Sequence, residues 1–165
     1  RSECQSGVLP WYSLNRQRYH NLFLENKIIM RQTSDCIRAT IDTNGYYVLD
    51  SILIFKIKDL SKYDYKFCLA LLNSKINQYI YKNYTQESGR TFAQVKPKNI
   101  RKLFIPEVSN KEQKPFIGLV NQVLDAKKIN MESDTTPLEA EIDQLVYELY
   151  DLTDEEISIV EESVT

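Results

Sequence analysis

At 165 residues, with 42% hydrophobic and 27% charged side chains, the chain is long enough to bury the core of one globular domain. No apolar run approaches the ~20 residues of a membrane span, and nothing at the start resembles a signal peptide. The three cysteines are far apart and form no CxxC pair, which argues against a disulfide framework or a zinc site and favours a reducing cytoplasm. Because the first residue is Arg1 rather than Met, we expect a piece of a longer protein.

The formal net charge of −2 conceals a strong asymmetry along the chain. Residues 1–115 hold 19 of the 21 basic and 10 of the 23 acidic side chains, a net charge of +9, whereas residues 116–165 have a net charge of −11. Solvated charged faces would explain one cluster of lysines. A difference of this size instead favours a basic body that faces a polyanion and an acidic tail turned away from it.

Three short strands are predicted in the first part of the chain. Lys27–Arg31 is apolar and β-branched, and further strands are predicted over 37–41 and 46–57. Asn44-Gly45, between the second and third strands, is a strong hairpin signal because both central residues of the favoured turn take positive φ. The run 52–55 is apolar on both faces, which predicts a central position in the sheet.

A predicted helix and a predicted strand frame a polar, basic loop. The helix covers residues 67–82 and opens with a capping box at Ser61 and Asp64. After the loop, Pro97 begins a short helical turn, and residues 103–105 form a strand. Binding loops are usually presented on rigid elements in this way.

The last part of the chain is predicted to be helical. Phe116 and Val120 lie on one face of a helix that starts late or kinks at Pro115. Thr136 begins the next helix, followed by proline at the first helical position and glutamate at the third, and Thr153 begins the last helix with a similar signature.

Little in the sequence suggests catalysis. His20 is the only histidine, and no nucleotide-binding loop, nucleophile elbow or zinc-protease motif is present. A metal-dependent nuclease needs clustered carboxylates with a lysine, and the acid-x-Lys triplets that begin at Glu25, Asp64 and Asp125 are no more than chance supplies at this charge content. No catalytic and no metal-binding residue is therefore predicted.

Residues suited to binding DNA are better represented. Arginine pairs with guanine and glutamine with adenine in the major groove, serine and threonine serve bases or phosphates, and lysine neutralises phosphates. Such residues follow the first strand and recur in the polar loop. The candidate DNA-binding residues are Arg16, Arg18, Arg31, Gln32, Ser34, Arg38, Lys75, Arg90, Thr91, Lys96 and Lys98.

Several segments, taken in order, carry a family resemblance from Trp11 onward. They are Trp11-Tyr12, Lys27-Ile28-Ile29-x-Arg31, Gly45-Tyr46-Tyr47, Leu71-Leu72-Asn73-Ser74-Lys75, Gly89-Arg90, Lys102-Leu103-x-Ile105-Pro106, Gln113-x-Pro115-Phe116-Ile117, and Ile142-Asp143-x-Leu145-Val146-Tyr147-x-Leu149-Tyr150-x-Leu152-Thr153. Together they resemble the TaqI-like C-terminal specificity domain of adenine-specific DNA methyltransferases and of restriction enzymes fused to them.

The resemblance implies a catalytically silent domain that selects the double-stranded DNA sequence on which a methyltransferase acts. It implies that S-adenosylmethionine binds a separate catalytic domain of the same chain, and that no cofactor binds this piece. The family varies its DNA-reading loops, so the candidate residues above depend on their chemistry and position alone.

We therefore expect an α/β (α+β) fold in which a small mixed sheet with packed helices forms a target-recognition domain. A lead-in linker would cover residues 1–10, the DNA-recognition domain 11–106, and a helical segment 107–165 that packs on it or on the catalytic domain. Two alternatives remain: an assembly module that docks another subunit through the stripe 142–152, and a metal-dependent nuclease. The sequence leaves the oligomeric state open.

Overall fold

The computed structural model describes residues 21–85 and 93–164, in which a small sheet is followed by a series of helices. This arrangement confirms the predicted α+β class and the C-terminal helical segment. Among the residues described, no helix combines the length and the apolar character needed to cross a membrane. The elements are α1 (Asn21–Leu24), β1 (Lys27–Arg31), β2 (Ala39–Asp42), β3 (Ile52–Phe55), α2 (Tyr65–Asn73), α3 (Lys75–Tyr84), α4 (Pro97–Ile100), α5 (Asn110–Ile129), α6 (Thr136–Leu149) and α7 (Asp154–Val164).

Strand β1 lies at the centre of the sheet, whose order is β2-β1-β3 and whose pairs are both antiparallel. Its alternate residues Ile28 and Met30 are buried in the core. The predicted central position of 52–55 is wrong, because β3 is an edge strand of the described sheet, paired with β1, and its four residues are half-buried. An apolar strand need not be central when, as here, Leu53 and Phe55 pack against the core on one face.

The predicted hairpin at Asn44-Gly45 is also wrong, because β2 and β3 lie on opposite sides of β1. Gly45 does take positive φ (75°), but Asn44 does not. The turn is instead closed by the Asp42 carboxylate, which accepts the backbone N–H groups of Asn44 (2.8 Å) and Tyr46 (2.9 Å). An aspartate that bonds the backbone two residues on directs a turn without strand pairing.

A buried ion pair closes this end of the sheet. The Lys27 ammonium lies 2.5 Å from the Asp42 carboxylate, and the two side chains are 0% and 1% exposed. Lys27 also donates to the Phe23 carbonyl, so both charges are hydrogen-bonded. Burial alone would raise the pKa of Asp42, but the hydrogen bonds from Lys27, Asn44 and Tyr46 hold it below its ordinary value.

The helix predicted over 67–82 is two helices, α2 and α3, separated at Ser74. This residue has extended backbone (ψ 151°), and its hydroxyl donates to the Leu71 carbonyl (2.7 Å). The Asn77 side chain donates to the same carbonyl (2.7 Å), which also accepts the Ser74 N–H (3.3 Å), so side-chain and backbone donors together cap the end of α2. The break allows α2 and α3 to pack on different parts of the core.

The predicted capping box of Ser61 and Asp64 is wrong, because Asp64 is itself the N-cap of α2, and its carboxylate accepts the Lys66 N–H (2.6 Å). Ser61 bonds Asp59 instead. The helical turn at Pro97 is confirmed as α4, but the strand predicted over 103–105 is not formed.

Of the three C-terminal helices, α6 and α7 begin close to the predicted positions, whereas α5 begins earlier than predicted. Ser109 and Glu112 form a reciprocal capping box, so α5 starts before Pro115 and continues through it. The N-cap of α6 is Thr135, one residue before the predicted one, and Thr153 with Glu156 caps α7 as predicted. Much of the stripe 142–152 is buried against the chain's own core.

Helix α6 anchors the start of α3. The Asp143 carboxylate accepts the backbone N–H of Lys75 (2.8 Å), and the Lys75 ammonium pairs with Glu161 of α7 (2.6 Å). Burial raises the pKa of Asp143 to about 6, although its contacts with Lys75 act in the opposite direction. The hydrogen bond from Lys75 holds the pKa of Glu161 below its ordinary value.

Removing one partner of the buried pair should be strongly destabilising. We expect Lys27→Met to lower the free energy of unfolding by about 3–5 kcal/mol, because it leaves the Asp42 charge buried without a cation. Urea denaturation measures the change. Lys56→Met, at the more exposed Lys56–Glu25 pair, should cost less than about 1 kcal/mol. Equal losses of unfolding free energy in the two variants would contradict the conclusion that the Lys27–Asp42 pair is buried.

Asp143 should make stability depend on pH. Between pH 3.8 and about pH 6 the Asp143 carboxyl holds its proton more tightly in the folded chain than in the unfolded chain. The contribution of Asp143 to the free energy of unfolding therefore falls as pH rises through that window. We expect wild type to lose up to about 3 kcal/mol relative to Asp143→Asn between about pH 4 and about pH 7, measured by urea denaturation. Glu162→Gln, at an exposed site on α7, should run parallel to wild type. Parallel curves for Asp143→Asn would contradict the prediction.

Candidate nucleic-acid interface

The end of the sheet opposite the buried ion pair carries a basic turn, residues 31–38, here called the strand-end turn. It joins β1 to β2, and the Arg31 N–H donates to the Arg38 carbonyl (3.2 Å) at its base. Both arginines are exposed, whereas Gln32 and Ser34 are half-buried. Strand alternation places Arg31 on the sheet face away from Met30 and the core. The turn therefore presents two guanidinium groups to solvent.

A second basic segment, residues 93–102, meets this turn in space. The Val95 N–H donates to the Gln32 carbonyl (2.7 Å), and Val95 is fully buried. The buried Tyr81 of α3 donates through its hydroxyl to the Gln94 carbonyl (3.4 Å), which fixes the segment from the other side. Residues 93–102 contain four basic and no acidic side chains, of which Lys98 is exposed in α4. We call residues 31–38 and 93–102 together the basic surface.

Two side-chain amides hold the strand-end turn against the helices. Gln78 of α3 accepts the Ile37 N–H (2.9 Å) and donates to the Ile37 carbonyl (2.8 Å). Asn73 of α2 makes the same pair of bonds with Ala39 (3.0 Å each). Because each amide satisfies one backbone donor and one acceptor, the start of β2 is fixed without another strand beside it.

Arg38 is positioned from within the turn. Its Nε donates to the Cys36 sulfur (3.3 Å), and the Cys36 N–H donates to Ser34 Oγ (3.3 Å). The hydrogen bond to Cys36 and the nearby Asp35 carboxylate raise the pKa of the Arg38 guanidinium, which is therefore cationic. Asp35 is the one acidic residue in the basic surface.

The structure brings together six of the candidate residues and places one elsewhere. Lys75 lies at the start of α3, where it pairs with Glu161, and DNA would have to compete with that contact. The neighbouring Lys82 donates to the Ser163 carbonyl (3.0 Å). Arg16, Arg18, Arg90 and Thr91 lie outside the described residues, as does His20. The six residues in the basic surface are Arg31, Gln32, Ser34, Arg38, Lys96 and Lys98.

Sequence reasoning missed the positioning residues Asn73 and Gln78. The sequence did contain a signal for Gln78. This residue lies next to the apolar positions Ile76 and Tyr79 of the helix, and a polar side chain buried there requires a hydrogen-bond partner. The described ranges contain no group of three His, Cys, Asp or Glu side chains that could hold a metal ion.

Comparison with known proteins identifies the family. Residues 7–105 match the family model of the TaqI-like C-terminal specificity domain, which covers more than half of the chain. A search of curated proteins found no match. The match includes β1, β2, β3 and the whole basic surface, and it ends before α5. The chain therefore belongs to the TaqI-like C-terminal specificity domain family, which implies DNA target recognition in restriction–modification enzymes.

Proposed function

We propose that this chain binds double-stranded DNA sequence-specifically for an adenine-specific methyltransferase or a combined restriction–modification enzyme. Residues 11–106 would form the recognition domain, and 107–165 the helical segment that packs on it. The family match ends at residue 105, close to this boundary. S-adenosylmethionine would bind the catalytic domain of the same protein, and we assign no residue of this chain to it.

The observation that carries the proposal is the meeting of two basic segments at the Gln32–Val95 hydrogen bond (2.7 Å). The strand-end turn and residues 93–102 are distant in sequence, yet together they carry six basic side chains and one acidic side chain. A net charge of +5 on adjoining segments is suited to a polyanion such as the phosphate backbone.

The geometry also suggests separate roles for the basic residues. The major groove is about 12 Å wide, and the part proposed to enter it is the strand-end turn that joins β1 to β2 at one end of the sheet. In this arrangement Arg31 and Gln32 would read base edges, while Lys96 and Lys98 would contact phosphates. Arg90 and Thr91 are proposed as further base-reading residues on their chemistry alone.

DNA affinity should fall steeply with salt. Four to six phosphate contacts would give a slope of about −4 to −5 for log K against log salt. Fluorescence anisotropy with random and genomic duplexes, from about 50 mM to about 200 mM salt, measures this slope. Magnesium is included in half of the samples, because metal-dependent cutting would favour the nuclease alternative. Absence of binding at the lowest salt would contradict the proposal.

Alanine variants should separate base reading from phosphate binding. We expect Arg31→Ala and Arg90→Ala to reduce discrimination at one base position by about 1–3 kcal/mol, because a bidentate pair is lost. Lys98→Ala should instead weaken all sequences alike and reduce the salt slope by about one. Selection from a random duplex pool, followed by sequencing, measures the preference.

The matched control for these variants is Lys58→Ala. Lys58 is exposed and follows β3 at the opposite end of the sheet from the basic surface, so its loss should leave affinity and preference close to wild type. If both arginine variants keep full preference, the base-reading assignment is wrong even where DNA binding is intact.

A further inference from the structure

Helix α5, which lies outside the family match, carries an exposed polar stripe. Its members recur at intervals of three, four, four and three residues, so they share one helical face about 21 Å long. All five are exposed, and none of the three charged residues forms an ion pair within the described residues. We call this set the α5 stripe: Lys111, Lys114, Gly118, Gln122 and Asp125.

Gly118, at the middle of the stripe, packs against no other element among residues 21–85 and 93–164. A Cβ placed on it would meet nothing within 4 Å, and its φ is not positive. Glycine in an exposed helix interior makes the helix less stable than alanine would, and no contact at Gly118 offsets this loss of stability among the described residues. Glycine is suited to a site where another backbone approaches closely, which a second copy of the helix would supply.

The charges of the stripe are arranged in opposite sense about Gly118. Lys111 and Lys114 lie seven and four residues before it, and Gln122 and Asp125 lie four and seven residues after it. A second, antiparallel copy of α5 that crosses at Gly118 would place Lys111 opposite Asp125 and Lys114 opposite Gln122. Two-fold symmetry forms each of these contacts twice. A parallel copy would instead place like charges opposite each other.

A shallow groove beside the stripe provides apolar contact area. The groove lies between α5 and α6 and has a volume of about 470 Å³. Pro115, Leu119 and Leu145 line it, and Glu141 adds a carboxylate that a lysine of the second copy can pair with. The groove therefore extends the surface available to the opposing helix.

We propose that α5 forms an antiparallel, two-fold symmetric dimer of this chain, with the two helices crossing at Gly118. The occupant of the groove is then the α5 helix of the second copy. Because one helix pair buries less area than a standard interface, association is weak, in the micromolar range or above. The proposal is independent of DNA binding, which it neither requires nor predicts.

Disulfide formation tests the crossing point. In the 165-residue chain with Cys4→Ser and Cys36→Ser, we expect Gly118→Cys to form a disulfide-linked dimer under mild oxidation, because the two sulfurs meet at the symmetry axis. The third cysteine, Cys68, is buried, and burial raises the pKa of its thiol to about 12. The matched control is Lys128→Cys, exposed on the same helix, whose two copies the antiparallel crossing separates by about 30 Å.

Charge exchange tests the pairing. In sedimentation equilibrium, Lys111→Glu and Asp125→Lys should each weaken dimerisation at least tenfold, and the double variant should restore it. Circular dichroism checks that each variant keeps its helix content. A monomer at every concentration up to about 1 mM would overturn the proposal, as would equal cross-linking of the two cysteine variants or a double variant that remains weak. A monomer that binds a basic helical peptide would assign the groove to another partner and also overturn it.

Discussion

The candidate interface depends on two side-chain amides that pair with the backbone at the edge of the sheet. Ala39 begins the edge strand β2 and Ile37 lies two residues before it, and no strand of the described part of the chain lies beside their outward N–H and C=O groups. Gln78 and Asn73 supply the missing donors and acceptors from the helices behind. Each bond contributes about 1 kcal/mol to stability, but its larger effect is to fix where the turn begins.

A side-chain amide also pairs with the backbone where the C-terminal helical segment meets the recognition domain. Gln113 of α5 is 1% exposed, accepts the Asp64 N–H (2.9 Å) and donates to the Lys62 carbonyl (2.6 Å). A buried amide that satisfies backbone groups on another element sets orientation more narrowly than apolar contact does, because its bonds are directional. Asn73, Gln78 and Gln113 thus join the sheet, the helix pair and the C-terminal segment.

The two ends of the sheet use charge in opposite ways. At one end Lys27 and Asp42 neutralise each other in a buried pair, so neither of these two charges is presented to a ligand. At the other end Arg31 and Arg38 are exposed beside the lysines of residues 93–102. The acidic segment is not simply turned away from the basic body, because Glu161 pairs with Lys75. This contact lies at the start of α3, outside the two segments of the basic surface.

The sequence by itself determined the features that depend on local chemistry. The charge asymmetry, the family motifs and the starts of α4, α6 and α7 were readable because they follow from residue type and short-range capping. The family match confirms the resemblance that those motifs predicted. The sequence did not show that the six candidate residues of the basic surface lie near one another. No local signal connects residue 32 with residue 95.

The tertiary structure decided whatever depended on contacts between distant segments. The Asn44-Gly45 signal predicted a hairpin, but Asp42 closes that turn alone, and β3 gains its hydrogen bonds and packing against β1 instead. Ser74 divides a continuous apolar stripe, and Ser74 and Asn77 hydrogen-bond the Leu71 carbonyl at the break. Lys75, a candidate for phosphate binding, pairs in the folded chain with Glu161 from the other end of the sequence. Such pairings are decided by which groups meet in space, and a single sequence shows only the groups themselves.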